Sequence, residues 1–310
     1  MPSKDPFISI ITINYNQLEV TCEMLDSISC LNYPNIEVIV VDNHSSNSPL
    51  EYLKNNYPWV KLIASPQNLG FAGGNNLGIK IAKGDYLYFI NNDTELLENS
   101  LNPLIELFEQ KPSLGVVCPK ICYYPAQGVV KDTIQYVGAS QVSTLTARNK
   151  ILGEGEIDKG QYKQAMKTAY AHGAAMLVSR EVIDKVGMMP EEFFLYYEEL
   201  DWSEQIRRAG FEIYVEPRAM IYHKESVSIG NASPFKTFYL TRNRILFMRR
   251  NRSKLQFLLF SIFLFFITIP KNIISFLLKG EFEHIKSFLK AIQWNYFAGA
   301  KKQQKELFPA

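Results

Sequence analysis

Residues 7–13 read Phe-Ile-Ser-Ile-Ile-Thr-Ile, a near-continuous run of apolar and β-branched side chains. Such a run is typical of a parallel strand that is covered on both faces of a sheet. The polar residues 14–17 end this strand, and apolar side chains with helical spacing follow between residues 20 and 28. Residues 36–41, Ile-Glu-Val-Ile-Val-Val, then repeat the buried-strand pattern directly before Asp42. The start of the chain therefore predicts a β-α-β unit.

The same alternation continues to about residue 90 and then becomes looser. We expect a third strand at Val60–Ala64, a helix from about Asn75 to Ala82 and a fourth strand at Tyr86–Ile90. This order predicts a doubly wound α/β sheet with right-handed crossovers. Later strands are expected at Gly115–Cys122, Ala174–Val178, Glu212–Val215 and Ala219–Tyr222. The glycine- and charge-bearing residues 127–167 predict a mobile loop over the site.

The composition excludes some classes of protein. At 310 residues the chain can form one large domain or two smaller ones. Its formal charge of +2 is close to neutral, so no nucleic-acid partner is indicated. The four cysteines have no C-x-x-C spacing and lie in apolar stretches, which favours reduced thiols over a zinc site. Residues 1–6 do not resemble a secretory signal, so we expect the protein on the cytoplasmic side.

The composition changes near residue 235, which predicts a domain boundary. Residues 1–235 form the predicted α/β domain and residues 236–310 a helical extension. Tyr239–Arg252 has a basic helical pattern, and Leu255–Ile269 is an apolar run of fifteen residues with two polar breaks. This run is short for a membrane span and has basic flanks, so we expect it to lie in the interface of an anionic membrane. Packing on the α/β domain or in a homodimer, and a true span, are the alternatives.

Two acidic clusters are not explained as core. Asn91-Asn92-Asp93 follows the fourth strand, and Glu198-Glu199-Leu200-Asp201 opens a helix that ends with the basic pair Arg207 and Arg208. In sheets of this kind ligands bind beyond the carboxyl ends of the strands. If the fold brings both clusters to one crevice, the first can hold a divalent cation against a diphosphate and the second can accept a proton from a hydroxyl. A polar turn and a well-capped helix start are the simpler alternatives.

Five ordered segments resemble the glycosyltransferase family 2 enzymes of the GT-A fold, particularly the bacterial rhamnosyltransferase-like members. The resemblance covers about residues 7–250 and rests on the order and spacing of Ser9–Asn16, Val40–Ser46, Asn68–Gly78, Asn91–Asp93 and Phe193–Trp202. It implies a Rossmann-like, mixed and mostly parallel sheet flanked by helices, followed here by the C-terminal helical, membrane-associating extension. It also implies that residues 1–235 are the catalytic domain.

The resemblance implies a binding site for a nucleotide-sugar donor at the ends of the first strands. Asp42 matches an aspartate that contacts the nucleotide, although an Asx turn with Ser45 is the simpler alternative. The glycine-rich segment 68–78 matches the donor loop and has Asn75 near the predicted helix start. The full set of expected donor-site residues is Asn14, Asn16, Asp42, Asn68, Gly70, Asn75, Asn92 and Arg242. Arg242 belongs to a basic motif that can meet either the donor diphosphate or lipid phosphates.

The same resemblance implies a bound Mg²⁺ or Mn²⁺. Asn91-Asn92-Asp93 stands in the place of the family's Asp-x-Asp motif, so Asp93 and Asn91 are expected ligands. His223 matches a histidine that completes the coordination in related enzymes. The replacement of one carboxylate by an amide should weaken the affinity for the metal.

For catalysis, the resemblance places the base at the start of the acidic helix. Glu199 occupies the position of the family's base, Asp201 is the second candidate, and Glu198 is expected to orient the acceptor. Glu199 departs from the aspartate that is usual there, which lengthens the reach of the carboxylate. The segment 172–175 resembles the family's acceptor loop, which has small residues.

Together these features predict an inverting, metal-dependent glycosyltransferase of cell-surface glycan synthesis, peripheral to the inner face of the cell membrane. The expected donor is dTDP-rhamnose or a UDP-sugar, and the acceptor is lipid-linked or a polysaccharide. A membrane-docked sugar-nucleotide-binding protein without catalysis is the alternative, because Asn91 and Glu199 depart from the usual motifs. A nucleotidyltransferase would need a basic phosphate-binding loop after the first strand, and residues 14–17 do not supply one.

Overall fold

The structure is a computed structural model that describes residues 5–125, 129–224 and 233–296. The chain divides into two compact units. The first unit comprises residues 1–140, 150–194 and 198–228, and the second unit comprises residues 141–149, 195–197 and 229–310. The boundary predicted between residues 235 and 236 stays a prediction.

The first unit is an α/β structure built on one ten-stranded sheet. Its strands are β1 Ile8–Asn14, β2 Ile36–Asp42, β3 Val60–Ala64, β4 Tyr86–Ile90, β5 Thr94–Leu96, β6 Leu114–Tyr123, β7 Ile134–Tyr136, β8 Met166–Lys167, β9 Ala175–Ser179 and β10 Glu212–His223. Its α-helices are α1 Leu18–Ser29, α2 Leu50–Asn56, α3 Gly70–Ile81, α4 Asn102–Gln110, α5 Arg180–Val186 and α6 Glu198–Arg208. The strand order is β3-β2-β1-β4-β9-β6-β10-β5, and β7 and β8 pair with β6 and β10. The predicted mixed, mostly parallel sheet flanked by helices is confirmed.

Strand β1 is near-continuously apolar because it lies inside the sheet. It pairs in parallel with β2 on one side and β4 on the other. Helix α3 packs against it through glycines, since a Cβ on Gly74 would lie 2.7 Å from Cδ1 of Ile13 and one on Gly78 would lie 2.5 Å from Cγ2 of Ile11. The register ends with Asn14 opposite Asp42, so the polar residues after both strands lie at one edge of the sheet.

One prediction for the later part of the sheet is wrong. The strands expected at Glu212–Val215 and Ala219–Tyr222 are one strand, β10, whose register against β6 shifts between Glu216 and Met220. Pro217 lies inside this irregularity, where its missing N–H interrupts no ladder hydrogen bond. The segment 127–167, expected as a loop, is mostly irregular where it is described and also contributes the short strands β7 and β8 to the sheet; residues 127 and 128 lie outside the described part.

The cysteines are free thiols, as the sequence predicts. Cys118 and Cys122 are buried in β6. Burial raises the pKa of both thiols to about 12, so they remain protonated at neutral pH.

The second unit is mainly helical from residue 234 to the end of its described part. It contains α7 Pro234–Asn251, α8 Lys254–Phe263, a π-helical turn at Leu264–Thr268, α9 Ile269–Lys279 and α10 Phe282–Tyr296. Helix α7 starts at Ser233, whose hydroxyl accepts a hydrogen bond from the backbone N–H of Lys236. Helix α8 starts with a capping box between Ser253 and Gln256.

The apolar part of the second unit is longer than the sequence predicts. Residues 254–279 form one continuous helix of 26 residues, and among the described residues it is the one helix long and apolar enough to cross a membrane. The helix continues through Pro270. A proline inside an α-helix clashes with the carbonyl four residues earlier, and the π-turn directly before Pro270 changes that spacing.

Candidate active site

The ends of β1 and β2 are joined by a polar network around Asp42. The side-chain amide of Asn14 donates to Oδ1 of Asp42 at 3.1 Å and to Oγ of Ser45 at 3.0 Å, and the Ser45 hydroxyl donates to the same Asp42 oxygen at 2.5 Å. Asn16 closes the loop, because its Oδ1 accepts from the N–H of Ser46 at 2.8 Å. Asp42 is buried, with 4% of its surface exposed. The Asp42–Ser45 turn weighed in the sequence analysis is therefore present, together with the expected neighbours.

A second network holds the start of α3. The Asn43 side chain donates to Oδ1 of Asn68 and to the carbonyl of Gly70, both at 3.1 Å, and its own Oδ1 accepts from the N–H of Leu69 at 2.9 Å. The sequence analysis did not assign Asn43 a role, although it directly follows Asp42. Its three hydrogen bonds make it the link between the end of β2 and the segment 68–70.

The helix start predicted near Asn75 is wrong, because α3 begins at Gly70. Asn75 is 1% exposed, and its amide donates to the carbonyl of Phe71 one turn earlier in the same helix. Asn76 is also buried and donates to the carbonyl of Met189. Neither amide lies at a helix N-terminus, where unpaired N–H groups favour an anion. Much of the glycine-rich segment is thus explained by close packing of α3 on β1.

The end of β4 meets the end of β10 at a pair formed by Asp93 and His223. Oδ1 of Asp93 lies 3.0 Å from Nε2 of His223, and the Asn91 amide nitrogen lies 3.3 Å from the same ring nitrogen. Asn92 turns the other way, and its amide donates to the hydroxyl of Thr21 at 2.9 Å. These contacts bring the three expected metal-site residues, Asp93, Asn91 and His223, together.

The donor set at this pair fits a divalent cation. Nδ1 of His223 lies 2.8 Å from the Oε1 carbonyl oxygen of Gln135, which accepts a proton on Nδ1. Oδ1 of Asp93 is buried and has no hydrogen-bond partner among the described residues. In the neutral tautomer with its proton on Nδ1, the lone pair of Nε2 faces this carboxylate oxygen at 3.0 Å, an arrangement that a cation would relieve.

Beyond Asp93 and His223, any further ligands to a metal would have to be groups other than acidic side chains. No group of three or more His, Cys, Asp or Glu side chains that could hold a metal is present in the described ranges. The Asn91 amide directs its nitrogen toward His223, so its carbonyl would join the set only after the amide turns. Magnesium and manganese commonly take one or two protein ligands together with phosphate oxygens and water.

Two residues behind His223 were missed or misplaced by the sequence analysis. Gln135 lies in β7, inside the segment expected to be a loop. His172 is buried with its ring 6.4 Å from that of His223 and 5.0 Å from that of Tyr136. Burial lowers the pKa of His172 to about 3, and the nearby His223 acts in the same direction, so the His172 ring is neutral at physiological pH.

The acidic helix α6 begins at Glu198, and its three carboxylates differ in exposure. Glu198 and Asp201 are buried, whereas Glu199 is half-buried. Asp201 is 1% exposed and accepts a hydrogen bond from the Gln205 amide at 2.8 Å, within the same helix. Of the three, Glu199 is therefore the carboxylate with access to a substrate.

The segment 172–174 connects Glu199 with the Asp93–His223 pair. A Cβ built on Gly173 would lie 4.0 Å from Cγ of Glu199. The next residue, Ala174, accepts a hydrogen bond at its carbonyl from the N–H of Asn91 at 3.0 Å. The tip that bears Asp93 and the turn that bears Glu199 thus flank the same three residues within the first unit.

Arg242 is described within the second unit. It is buried, with its guanidinium carbon 4.6 Å from the ring centre of Tyr239 and 5.0 Å from that of Trp294. Its Nε donates to Oδ1 of Asn243 at 2.7 Å. Its role in donor binding stays a prediction.

Comparisons with known proteins show the family and the fold. Residues 9–187 match the family described as Glycosyl transferase family 2, and the chain belongs to that family. The predicted family and GT-A fold are confirmed. The chain is 26% identical to the dTDP-rhamnosyl transferase RfbF of Shigella flexneri, over 83% of this chain and 85% of that protein.

Other relatives extend beyond the aligned part. The chain is 26% identical to the low-salt glycan biosynthesis hexosyltransferase Agl10 of Haloferax volcanii, over 66% of this chain and 63% of that protein. It spans 27% of a second relative, the uncharacterized protein y4gI of Sinorhizobium fredii, at 25% identity. The chain thus covers less than two thirds of these two proteins.

Solved structures share the fold. The mannosyltransferase PcManGT from Pyrobaculum calidifontis, in complex with GDP-Man and Mn²⁺, has a TM-score of 0.56 at 15% identity and covers 96% of this chain and 77% of that one. The S. aureus TarS 1-349 complex with UDP-GlcNAc has a TM-score of 0.57 at 16% identity and covers 93% of this chain and 81% of that one.

Proposed function

We propose that this protein is an inverting, metal-dependent glycosyltransferase that transfers a sugar from a nucleotide donor to an acceptor of cell-surface glycan synthesis. One observation carries the proposal: the Asp93–His223 pair and Glu199 flank the same segment, residues 172–174. The first donor to test is dTDP-rhamnose, because the Shigella flexneri relative is a dTDP-rhamnosyl transferase and aligns over 83% of this chain. UDP-sugars come second. The acceptor is a lipid-linked or polysaccharide glycan.

On the donor side, the strand ends hold the nucleotide. Asp42 accepts hydrogen bonds from a nucleobase N–H or a ribose hydroxyl, and Asn14 and Ser45 orient its carboxylate. Asp93 and His223 would hold the cation, and the Gln135 carbonyl oxygen, 2.8 Å from Nδ1 of His223, would favour the tautomer that leaves Nε2 available as a ligand. A bound Mg²⁺ or Mn²⁺ supplies positive charge that stabilises the leaving diphosphate.

On the acceptor side, Glu199 is the base. Its carboxylate accepts the proton of the attacking hydroxyl while the acceptor oxygen bonds to the anomeric carbon. The bond from that carbon to the diphosphate breaks on the opposite face, which inverts the configuration. Gly173 leaves space beside Glu199, because a Cβ there would lie 3.6 Å from Cζ of Phe71 and 4.0 Å from Cγ of Glu199.

The assignment is tested by donor turnover with three variants. Glu199→Gln keeps the shape of the side chain but removes the base, so kcat should fall by about 10²–10⁴-fold while the donor still binds. Asp93→Ala should abolish any tightening of donor binding by Mn²⁺. Asp201→Asn is the matched control, because Asp201 is buried and bonded to Gln205, and it should retain most of the activity.

Near-wild-type transfer by Glu199→Gln would reject the base, and a large loss in Asp201→Asn alone would move that role to Asp201. Donor binding by the wild-type protein that is independent of metal, without product from any donor and acceptor, would instead favour the catalytically inactive, membrane-docked binding protein.

We further propose that the second unit docks on the anionic inner surface of the cell membrane. The apolar window of helix 254–279 is only 17% buried, and its outward side chains include Phe266, 75% exposed, and Leu278, 84% exposed. Residues 233–280 contain nine Lys or Arg and no Asp or Glu, which suits an anionic lipid surface. We favour an interfacial position over a span because Lys271 lies within the helix and Phe260, Leu264 and Thr268 are buried along one side of it.

A further inference from the structure

Three of the four residues before the acidic helix have an unusual backbone. Phe194 has φ 64° and ψ −56°, and Tyr196 and Tyr197 have φ 69° and 73°. Positive φ is unfavourable for residues with a side chain, and the conformation of Phe194 falls in the strained γ-turn region. Three such residues within a stretch of four persist only when the surrounding structure holds them. The next two residues in the chain are Glu198 and Glu199, so this strained segment sets where α6 begins.

One side chain of the second unit holds the middle of this segment. Asn243 of α7 is fully buried, and its amide nitrogen donates to the carbonyl of Leu195 at 2.7 Å and to that of Tyr196 at 2.8 Å. Its Oδ1 accepts from Nε of Arg242 at 2.7 Å, which fixes the orientation of the amide. Two N–H donors and one acceptor on a short side chain are a combination that an amide provides and a carboxylate or hydroxyl does not.

The ends of the segment are held separately. The carbonyl of Phe194 accepts a hydrogen bond from the N–H of Phe71 at 2.7 Å within the first unit. Within the second unit, the Tyr197 hydroxyl donates to the carbonyl of Ala147 at 3.2 Å. Residues 195–197 belong to the second unit and their neighbours Phe194 and Glu198 to the first. Residues 195–197 therefore lie along the chain between Phe194, which is bonded to Phe71, and the start of α6, which bears the proposed base.

We infer that Asn243 is a positioning residue for the base: by holding the carbonyls of Leu195 and Tyr196 it fixes the positive-φ turn at Tyr196 and Tyr197, and this sets the start of α6 and the direction of the Glu199 carboxylate. The inference rests on the proposed function only for the role of Glu199. Asn243 itself need not touch the substrate. Its loss should reduce the rate of the chemical step while the donor continues to bind, because Asn14, Asp42 and Asn68 lie on other elements. Arg242 is the expected donor residue that contacts Asn243, and Asn243→Asp keeps an oxygen that can accept from its Nε.

The test compares Asn243→Asp with Asn295→Asp in the full chain. In Asn243→Asp a carboxylate oxygen replaces the nitrogen that faces two carbonyls. Asn295 is the matched control: it is 5% exposed, lies in the same unit, and its amide also donates to two carbonyls, those of Arg242 at 2.9 Å and Ala291 at 3.1 Å. Both variants should lower stability to a similar degree. Asn243→Ser, which keeps one donor, is the milder variant should Asn243→Asp not fold.

Two readouts separate positioning from folding. The kcat of sugar transfer should fall at least tenfold in Asn243→Asp and less in Asn243→Ser, with the KM for the donor within twofold, while Asn295→Asp keeps kcat within twofold. Hydrogen exchange of the peptide that covers residues 194–201 should accelerate in the Asn243 variants and not in Asn295→Asp. Unchanged exchange in that peptide, an unchanged kcat, or equal losses in both positions would overturn the inference. Faster exchange in a protein that transfers no sugar would leave the positioning role in place and reject the proposed function instead.

Discussion

Gly70 offers the sharpest test of how the donor loop and the base are connected. It has φ +69°, and a Cβ at this position would lie 2.0 Å from the carbonyl oxygen of Phe194, 2.7 Å from its carbon and 2.8 Å from Cδ2 of its ring. Real Cβ atoms essentially never approach closer than 3.0 Å. In Gly70→Ala the Phe194 carbonyl must therefore retreat by about 1 Å, a displacement that in an active site can cost about 10²-fold in rate.

The cost in stability has three parts. Alanine in the left-handed region costs roughly 1–2 kcal/mol, overpacking against a backbone group adds roughly 1–3 kcal/mol, and the hydrogen bond from Phe71 to Phe194 contributes about 1 kcal/mol. We therefore expect Gly70→Ala to lower the free energy of unfolding by roughly 3–6 kcal/mol. Gly155→Ala is the control, because Gly155 has φ +80° and no atom lies within 4 Å of its Cβ position, so only the backbone part remains.

The assay is urea unfolding of the wild type and the two variants, followed by kcat of the folded fraction. Gly70→Ala should unfold at clearly lower urea than Gly155→Ala and should lose about 10²-fold in kcat, while Gly155→Ala keeps its activity. Equal unfolding midpoints for the two variants would show that the contact between Gly70 and Phe194 does not constrain the chain. Normal activity in a destabilised Gly70→Ala would show that the position of Phe194 does not matter for catalysis.

Three further predictions concern the metal, the sheet and the membrane. Addition of Mn²⁺ should tighten donor binding in calorimetry for the wild type and not for His223→Ala, and an equal gain in both would remove His223 from the ligand set. Burial alone would raise the pKa of Glu37, but hydrogen bonds from Lys61, Ser9 and the Lys83 N–H outweigh it, so the pKa is lowered. The stabilisation by ionised Glu37 is then present at neutral pH and is lost as the pH falls through this lowered pKa. Glu37→Gln should cost about 2 kcal/mol at pH 7, and in urea unfolding the difference from the wild type should shrink as the pH is lowered through that pKa. The double variant Phe266→Asp/Leu278→Asp should sediment at least tenfold less with vesicles that contain anionic lipid. The control Trp59→Asp, a change at an exposed apolar residue of the first unit, should sediment like the wild type. Unchanged sedimentation of the double variant together with a loss of dimers in size-exclusion chromatography would favour the homodimer.

The parts of the fold that local pattern encodes could be read from the sequence. The buried runs at residues 7–13 and 36–41 correspond to β1 and β2, and the order Ile8–Asn14, α1, Ile36–Asp42 is the predicted β-α-β unit. Asn91-Asn92-Asp93 follows β4 as expected, since the end of a strand is marked by the change from apolar to polar residues. In these stretches the pattern of apolar and polar residues that predicts the structure is contained within about ten residues.

Errors arose where a competing local explanation was stronger. The glycines of segment 70–78 suggested a loop, but they line the face of α3 that packs on β1. The apolar run was counted only as far as Ile269, before Pro270, but the π-turn lets helix 254–279 continue through the proline. In both cases the residue type is compatible with two structures, and the contact with a neighbouring element or turn selects one of them.

The sequence by itself determined the parallel core, the family and the polar residues at the strand ends, because these depend on spacing along the chain. Only the tertiary structure decided which side chains surround them. Gln135 reaches His223 because β7 pairs with β6 beside β10, and Asn243 reaches residues 195 and 196 from 47 or 48 positions further along the chain. Hydrogen bonds of this kind depend on strand register and helix packing, and these are set by burial across the whole unit rather than by any one segment.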